Sequence, residues 1–361
     1  MNGGDVVNPP AQAQGGPGGL KMTLLGAGII ALLAVPAIVL MFTPVEAGAG
    51  AAMPGMMAAA LGVLVGGVRR GLVVTVWVII AVGICPVGLV FPALGVLLVA
   101  CMGASSGFAA YRGMDLPIYM VNIFVGLTML NPPALTASQF TDGVKVGPSY
   151  ILTLMGVTAV GAVWSFGWMS VLRKKLPRLP MNPLHRESAM VYGATLALLT
   201  GATAAVALTW FQYSLAGWVI LTIYIVCRPS YKGASVVHGI RDRAEQRAVG
   251  TVVGVLIAAA LAFLVPNPNY LVIIGIGFLV AAVSRLIAKV PYWQYVVLLT
   301  PAMVFMDSSG IHVDSVALAR VACSFIGIAL ALGALEFNRR FTFPWISGAM
   351  VMEAATAPTE T

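Results

Sequence analysis

Charge is the scarcest property of this sequence: Asp, Glu, Lys and Arg make up 9% of its 361 residues, against about 25% in a soluble domain. So thin a charge excludes a surface wetted on all sides. The 60% apolar content and mean hydropathy of +0.96 point instead to lipid as the solvent. The three histidines, His185, His238 and His312, stand far apart in expected loops, which excludes a histidine-based metal or catalytic cluster. The four cysteines, Cys85, Cys101, Cys227 and Cys323, all fall inside apolar stretches with no close-spaced pair, so they read as small buried apolar groups rather than disulfides or metal ligands. No G-x-x-x-x-G-K-[ST] loop occurs, so ATP drives nothing within this chain. No cofactor is expected. The 40 glycines and 22 prolines follow no Gly-X-Y period and form no polar low-complexity tract, which excludes collagen.

What is present is a series of apolar stretches, near 22–42, 47–67, 71–90, 92–111, 116–131, 148–172, 189–211, 214–227, 248–265, 270–288, 291–306 and 315–336. Charged or Pro- and Gly-bearing breaks such as Arg69-Arg70-Gly71 and Asn131-Pro132-Pro133 separate them. At about 20 residues per span, this gives an all-α polytopic membrane protein with about 12 transmembrane helices. The expected organisation is a disordered cytoplasmic lead at 1–21, a first six-helix half at 22–172, a linker at 173–188, a second half at 189–337 and a tail at 338–361. A signal peptide ending near Glu46-Ala47-Gly48-Ala49 is the competing reading of the N-terminus; its apolar stretch is too long for that role.

Charge placement tests the count independently. With a cytoplasmic N-terminus, eighteen of the 20 basic residues fall on inside segments, from Arg69, Arg70 and Arg112 through Arg173 and Lys174 to Arg339 and Arg340. Outside loops hold Lys145 against Glu46, Asp142, Asp307 and Asp314. Basic residues favour the cytoplasmic side, so both termini are expected inside, in the inner membrane. The +8 net charge is thereby explained by orientation, and no nucleic acid is expected as a partner. The partners implied are the bilayer and a small substrate; a homo-oligomer remains open.

The linker separates two sets of six spans. Arg70 and Arg247, Tyr119 and Tyr295, and Asn131 and Asp307 recur 176–177 residues apart. An even number of spans per half makes the two repeats parallel, as in one class of transporters. The second half carries an extra segment, 229–246, expected as a short interfacial helix or a solvated loop. Spans five and eleven are short and contain or adjoin Pro117, Pro132, Pro291 and Pro301, the pattern that points to a transport pathway. They hold Tyr119, Asn122, Thr128 and Tyr295. The bland alternative makes the aromatics interfacial belt residues, with Asn122 and Thr128 bonded to a neighbouring helix.

One charge stands inside a span. Arg320 lies six residues past Asp314, about 9 Å into the membrane. A charge there faces a polar pathway, snorkels to the interface, or pairs with Asp307 or Asp314. Arg247-x-x-Gly250-Thr251-x-x-Gly254 and Arg320 with Gly327 both place Gly seven residues after Arg, on the same helix face.

With Trp218-Val-Ile-Leu-Thr222 and Arg228-Pro229, these motifs resemble the C-terminal membrane half of the fusaric acid resistance family over about 215–330. That family of bacterial inner-membrane proteins includes aromatic acid exporters and is distantly similar to plant aluminium-activated malate transporters. The first half matches only in span layout and Arg70. Many members carry a long cytosolic domain where this chain has a linker of about 16 residues at 173–188. The resemblance implies a transporter of small organic carboxylates, aromatic ones foremost, with Trp218, Thr222, Arg247, Gly250, Thr251 and Arg320 as site residues and no metal. Tyr119, Asn122 and Tyr295 join them from the short spans. A channel-like uniporter is a variant, because no mid-span carboxylate offers proton coupling. A non-transporting scaffold docking lipid or a partner through its basic loops is the alternative; an enzyme is not expected.

Overall fold

A computed structural model describes residues 50–136, 144–174, 183–211, 216–228, 236–265, 267–287, 290–307 and 313–342, with 28, 32, 35–40, 42–45, 139 and 176 besides. The lead at 1–21, residues 46–49, most of the linker and the tail beyond Thr342 lie outside these. Among the described residues every regular element is a helix. They are α1 (Met53–Ile84), α2 (Val87–Val90), α3 (Pro92–Tyr111), α4 (Asp115–Leu130), α5 (Pro148–Leu172), α6 (Arg186–Val206), α7 (Gly217–Cys227), α8 (Val236–Leu264), α9 (Pro268–Ile287), α10 (Tyr292–Asp307) and α11 (Val313–Phe337). The expected stretches 92–111 and 148–172 coincide with α3 and α5. Proline opens α1, α3 and α5, where its missing N–H has no intrahelical partner to lose.

The burial pattern is that of a membrane protein. Phe263, Leu318 and Leu152 are 89%, 71% and 69% exposed, while Ser106, Thr158, Ser165, Thr200 and Asn122 are buried. Lipid accepts such apolar side chains, and the polar ones find partners between helices. Among the described residues six helical stretches are long and apolar enough to cross a membrane, and α4, α7 and the stretch Tyr292–Phe305 are shorter apolar helices.

The first of the six, Gly50–Val90, is not one straight rod. Gly67 has φ 77 and ψ −179, a conformation only glycine adopts without strain. The chain folds back there. A Cβ on Gly62 would lie 3.0 Å from Val74 Cβ and 3.2 Å from Gly71 Cα, whereas residues 62 and 74 of a straight helix stand about 18 Å apart. The Arg173 guanidinium covers the turn, 3.3 Å from where a Gly67 Cβ would be.

Helix α1 packs on α5 and α4, and α3 packs on α4. Helix α8 packs on α11 and α10, and α9 packs on α10. These two groups of helices meet through α3 on α6 and α4 on α7. At the first seam a Cβ on Gly107 would stand 2.4 Å from Ala189 O and 2.7 Å from Gly193 Cα, so the backbones nearly touch. Gly250 and Gly254 do the same for α8, where added Cβ atoms would meet Val296 Cβ and Thr300 Cβ of α10, each at 2.6 Å.

One expectation needs correcting. Within the segment 229–246, residues from Val236 on are neither a separate interfacial helix nor a loop, but the opening turns of α8, which runs unbroken to Leu264. No proline interrupts 236–264, and Arg241, Arg243, Ala244, Glu245, Gln246 and Arg247 are good or adequate helix formers. At 29 residues, α8 is about 44 Å long, longer than a roughly 30 Å hydrocarbon core. Its charged start therefore projects past the apolar region. Residues 229–235 lie outside the described residues.

Candidate functional site

Helix α7 organises the site. Its 11 residues span only about 16 Å, too short to cross the core alone. Trp218 and Thr222 are four residues apart, so they share one face, and both are buried. The Thr222 hydroxyl donates to the Trp218 carbonyl at 2.9 Å. Its remaining lone pair accepts from Arg247 Nε of α8 at 3.3 Å. Arg247 Nη1 donates to the Tyr292 hydroxyl of α10 at 3.1 Å, so one buried guanidinium ties three helices. Gly250, one turn further on, lets α8 lie against Val296 and Trp293 of α10 closely enough for that reach.

Above Thr222, Arg320 of α11 places its guanidinium carbon 3.7 Å from the centroid of the Trp218 ring. Arg320 is 4% exposed. It therefore does not snorkel to the surface, and a desolvated cation–π contact of this kind is worth about 2 kcal/mol. Gly327 faces the same helix: a Cβ there would stand 2.7 Å from Thr222 Cβ and 3.0 Å from Val219 O. The seven-residue spacing thus puts Arg320 and Gly327 together on the α7-facing side of α11.

At the other end, Arg228 caps α7. Its Nε lies 3.5 Å from Asp115 Oδ2 of α4, and its guanidinium carbon lies 5.6 Å from the Tyr119 ring centroid. The Arg228 carbonyl accepts from Arg243 Nη1 of α8. Three arginines thus contact α7 at successive levels: Arg320 at Trp218, Arg247 at Thr222 and Arg228 at the end. By helical rise these levels span about 15 Å. Tyr119 meets Tyr224 edge-on at 6.0 Å and 83°, and Tyr292 lies tilted beside Tyr295 at 6.0 Å. Tyr119 is within electrostatic reach of Arg247, Tyr292 and Tyr295.

The structure therefore brings Trp218, Thr222, Arg247, Arg320, Tyr119 and Tyr295 into one cluster, with Gly250 behind Arg247. Thr251 is buried on α8, four residues beyond Arg247. Asn122 lies one turn beyond Tyr119 on α4. Its amide nitrogen lies 2.6 Å from the Met102 carbonyl, 2.8 Å from Ser106 Oγ and 3.1 Å from Ser105 Oγ, a polar knot between α4 and α3. Sequence reasoning missed Asp115, Arg243 and Tyr292 as members of the site. An acid in the first turn of a helix ordinarily reads as a dipole partner, so Asp115 gave little signal.

A groove lies away from this cluster. It encloses about 890 Å³ and is lined by side chains such as Val39, Val160, Val163 and Trp168. Trp164, also lining it, already donates its Nε1–H to the Leu32 carbonyl at 2.9 Å. Among its lining residues nothing charged would hold an anion. No group of side chains that could hold a metal ion occurs among the described residues.

Residues 202–334 match the model of the fusaric acid resistance protein-like family. The matched segment runs from the end of α6 to α11 and contains Trp218, Thr222, Arg228, Arg243, Arg247, Tyr292 and Arg320. The resemblance read from the arginine and glycine motifs holds over it. An uncharacterized protein of Haemophilus influenzae is 36% identical over 58 residues, 16% of this chain. The stretch in common spans only 7% of that protein's length. No solved structure matches the chain.

Proposed function

We propose that the protein carries small organic anions, with aromatic carboxylates as the preferred class, across the inner membrane through the cluster along α7. The observation behind this reading is the pair of buried contacts inside the family segment, Arg247 on Thr222 and Arg320 over Trp218. A guanidinium offers two parallel N–H donors to a carboxylate, and in a low-dielectric interior its attraction for an anion is strong. Trp218, Tyr119 and Tyr295 supply faces and edges for an aromatic ring.

The wider architecture is about twelve spans in two parallel six-helix halves, with both termini in the cytoplasm. Three packings that recur in each half support it: α1 on α4 with α8 on α10, α3 on α4 with α9 on α10, and α1 on α5 with α8 on α11. Rocking of one half against the other would expose the cluster to alternate sides.

The test is benzoate flux in proteoliposomes. Wild-type protein carries benzoate above the rate of empty vesicles, and Arg247→Lys, which keeps charge but loses the planar fork, carries it poorly at normal abundance. A flux that follows voltage alone marks a channel-like uniporter, and one that answers a pH gradient marks a coupled exporter. Vesicles no leakier than empty ones contradict the proposal and return the scaffold reading.

A further inference from the structure

Asp115 is an unusual carboxylate. Its side chain is 9% exposed, and its Oδ2 accepts no hydrogen bond among the described residues. A buried carboxylate oxygen without a donor is costly, and a purely structural bridge to arginine closes to about 2.7–2.9 Å. Here Arg228 Nε stops at 3.5 Å. The pair attracts without locking.

The surroundings of the pair are asymmetric. Arg228 is 35% exposed while Asp115 sits behind it, so a solute arriving from that end meets the guanidinium first. Tyr119 lies beneath Arg228, and Arg243 holds the Arg228 carbonyl. The buried Tyr192 hydroxyl of α6, within electrostatic reach of Asp115, has no hydrogen-bond partner among the described residues. The Arg228 guanidinium, with Arg243 on its carbonyl and Tyr119 beside it, therefore faces one loosely held carboxylate at the end of α7.

We infer that Arg228 is a carboxylate-binding position at the mouth of the α7 cluster, held in this structure by the chain's own Asp115, which an organic carboxylate must displace to enter. The inference rests on the anion-carrier reading and names its entry site. Asp115 supplies the same planar two-oxygen group as the ligand, on a tether, and so competes with it. The apparent affinity for an entering anion is then the intrinsic affinity reduced by the fraction of time the site is free.

Two substitutions move that fraction in opposite directions. Asp115→Asn keeps the shape and removes the competing charge, so benzoate binding tightens by roughly 1.4- to fivefold, the range of a partly exposed ion pair. Asp115→Glu keeps the charge and adds a methylene that bridges the 3.5 Å gap, so binding weakens. Equilibrium binding of labelled benzoate to the purified full-length protein, alongside benzoate flux in proteoliposomes, reads both effects. Tightening in Asn with weakening in Glu supports the inference, even if no variant moves benzoate, a result that would defeat the carrier reading alone. Flux in the wild type with unchanged or weakened binding in Asp115→Asn overturns the inference and leaves the carrier reading standing. Should Asp115→Asn not fold, Asp115→Glu decides: binding equal to or tighter than wild type overturns it. Absence of benzoate binding in the wild type overturns it as well.

Discussion

Gly327→Ala is a one-carbon change that should break the site while leaving α11 a better helix. The new Cβ would stand 2.7 Å from Thr222 Cβ, 2.9 Å from Thr222 Cγ2 and 3.0 Å from Val219 O. Ordinary carbon contacts begin near 3.5 Å, so α11 must retreat from α7 by about 0.7 Å or more. Overpacking of this kind costs about 1–3 kcal/mol, against which alanine returns about 0.5–1 kcal/mol of helix propensity. The retreat also carries Arg320 off the Trp218 ring and strains the Thr222 hydroxyl that Arg247 uses. Displacements near 1 Å can lower a reaction rate about a hundredfold; for a binding cluster a tenfold loss of flux is the smaller expectation. The same helix supplies its own control, because a Cβ on Gly333 meets nothing within 4 Å. Gly333→Ala should therefore be neutral or slightly stabilising, with flux intact. Thermal unfolding in detergent and benzoate flux, run on both variants, separate the two. Equal behaviour of Gly327→Ala and Gly333→Ala would refute the claim that the α7–α11 contact sets the site.

Gly67→Ala should lower stability by about 1–3 kcal/mol, since φ 77 with ψ −179 is strained for any side chain; an unchanged unfolding temperature would contradict the folded-back α1. Asn122→Ala removes the only side-chain amide of the α3–α4 knot and should cost about 1–3 kcal/mol through unpaired groups. It should leave the half-saturating benzoate concentration unchanged, and a selective loss of benzoate affinity would place Asn122 back in the pathway. With both termini and the linker inside, a cysteine at Ser138 or Ser309 should react with an impermeant thiol reagent in intact cells and one at Ser188 should not; the reverse pattern would overturn the orientation.

The helices were legible because lipid leaves the chain so few choices. Apolar runs bounded by Arg69-Arg70 or Pro132-Pro133 have to be helical, and α3 and α5 end where their composition changes. Glycines spaced four apart inside apolar stretches lie at close approaches: Gly62 and Gly66 beside the second arm of α1, Gly103 and Gly107 against α6, Gly250 and Gly254 against α10. Arg247 and Arg320 were legible because a charge among apolar residues is expensive enough to need a reason. Which residue each one meets was not, although the family resemblance had already named Trp218 and Thr222. Thr222, Trp218 and Tyr292 are ordinary residues of apolar helices, and only the crossing of α7, α8, α10 and α11 decides which of them meets a guanidinium. Asp115 was hidden by its ordinary place in a first turn, because the residue that faces it, Arg228, is 113 positions away. The continuity of α8 was missed for another reason. The charges at 241–247 resemble a loop in composition, yet helix formation there needs only the absence of a breaker.

The most direct test of the account is anion flux through Arg320→Ala and Arg320→Glu. Arg320 is 4% exposed and stacked on Trp218, away from the lipid-facing surface. Burying a charge at such depth is costly, so its removal should not hinder insertion. The account predicts Arg320→Ala in the membrane at normal abundance with most benzoate flux lost, and Arg320→Glu with none. A well-expressed Arg320→Ala protein that carries benzoate at the wild-type rate would contradict it.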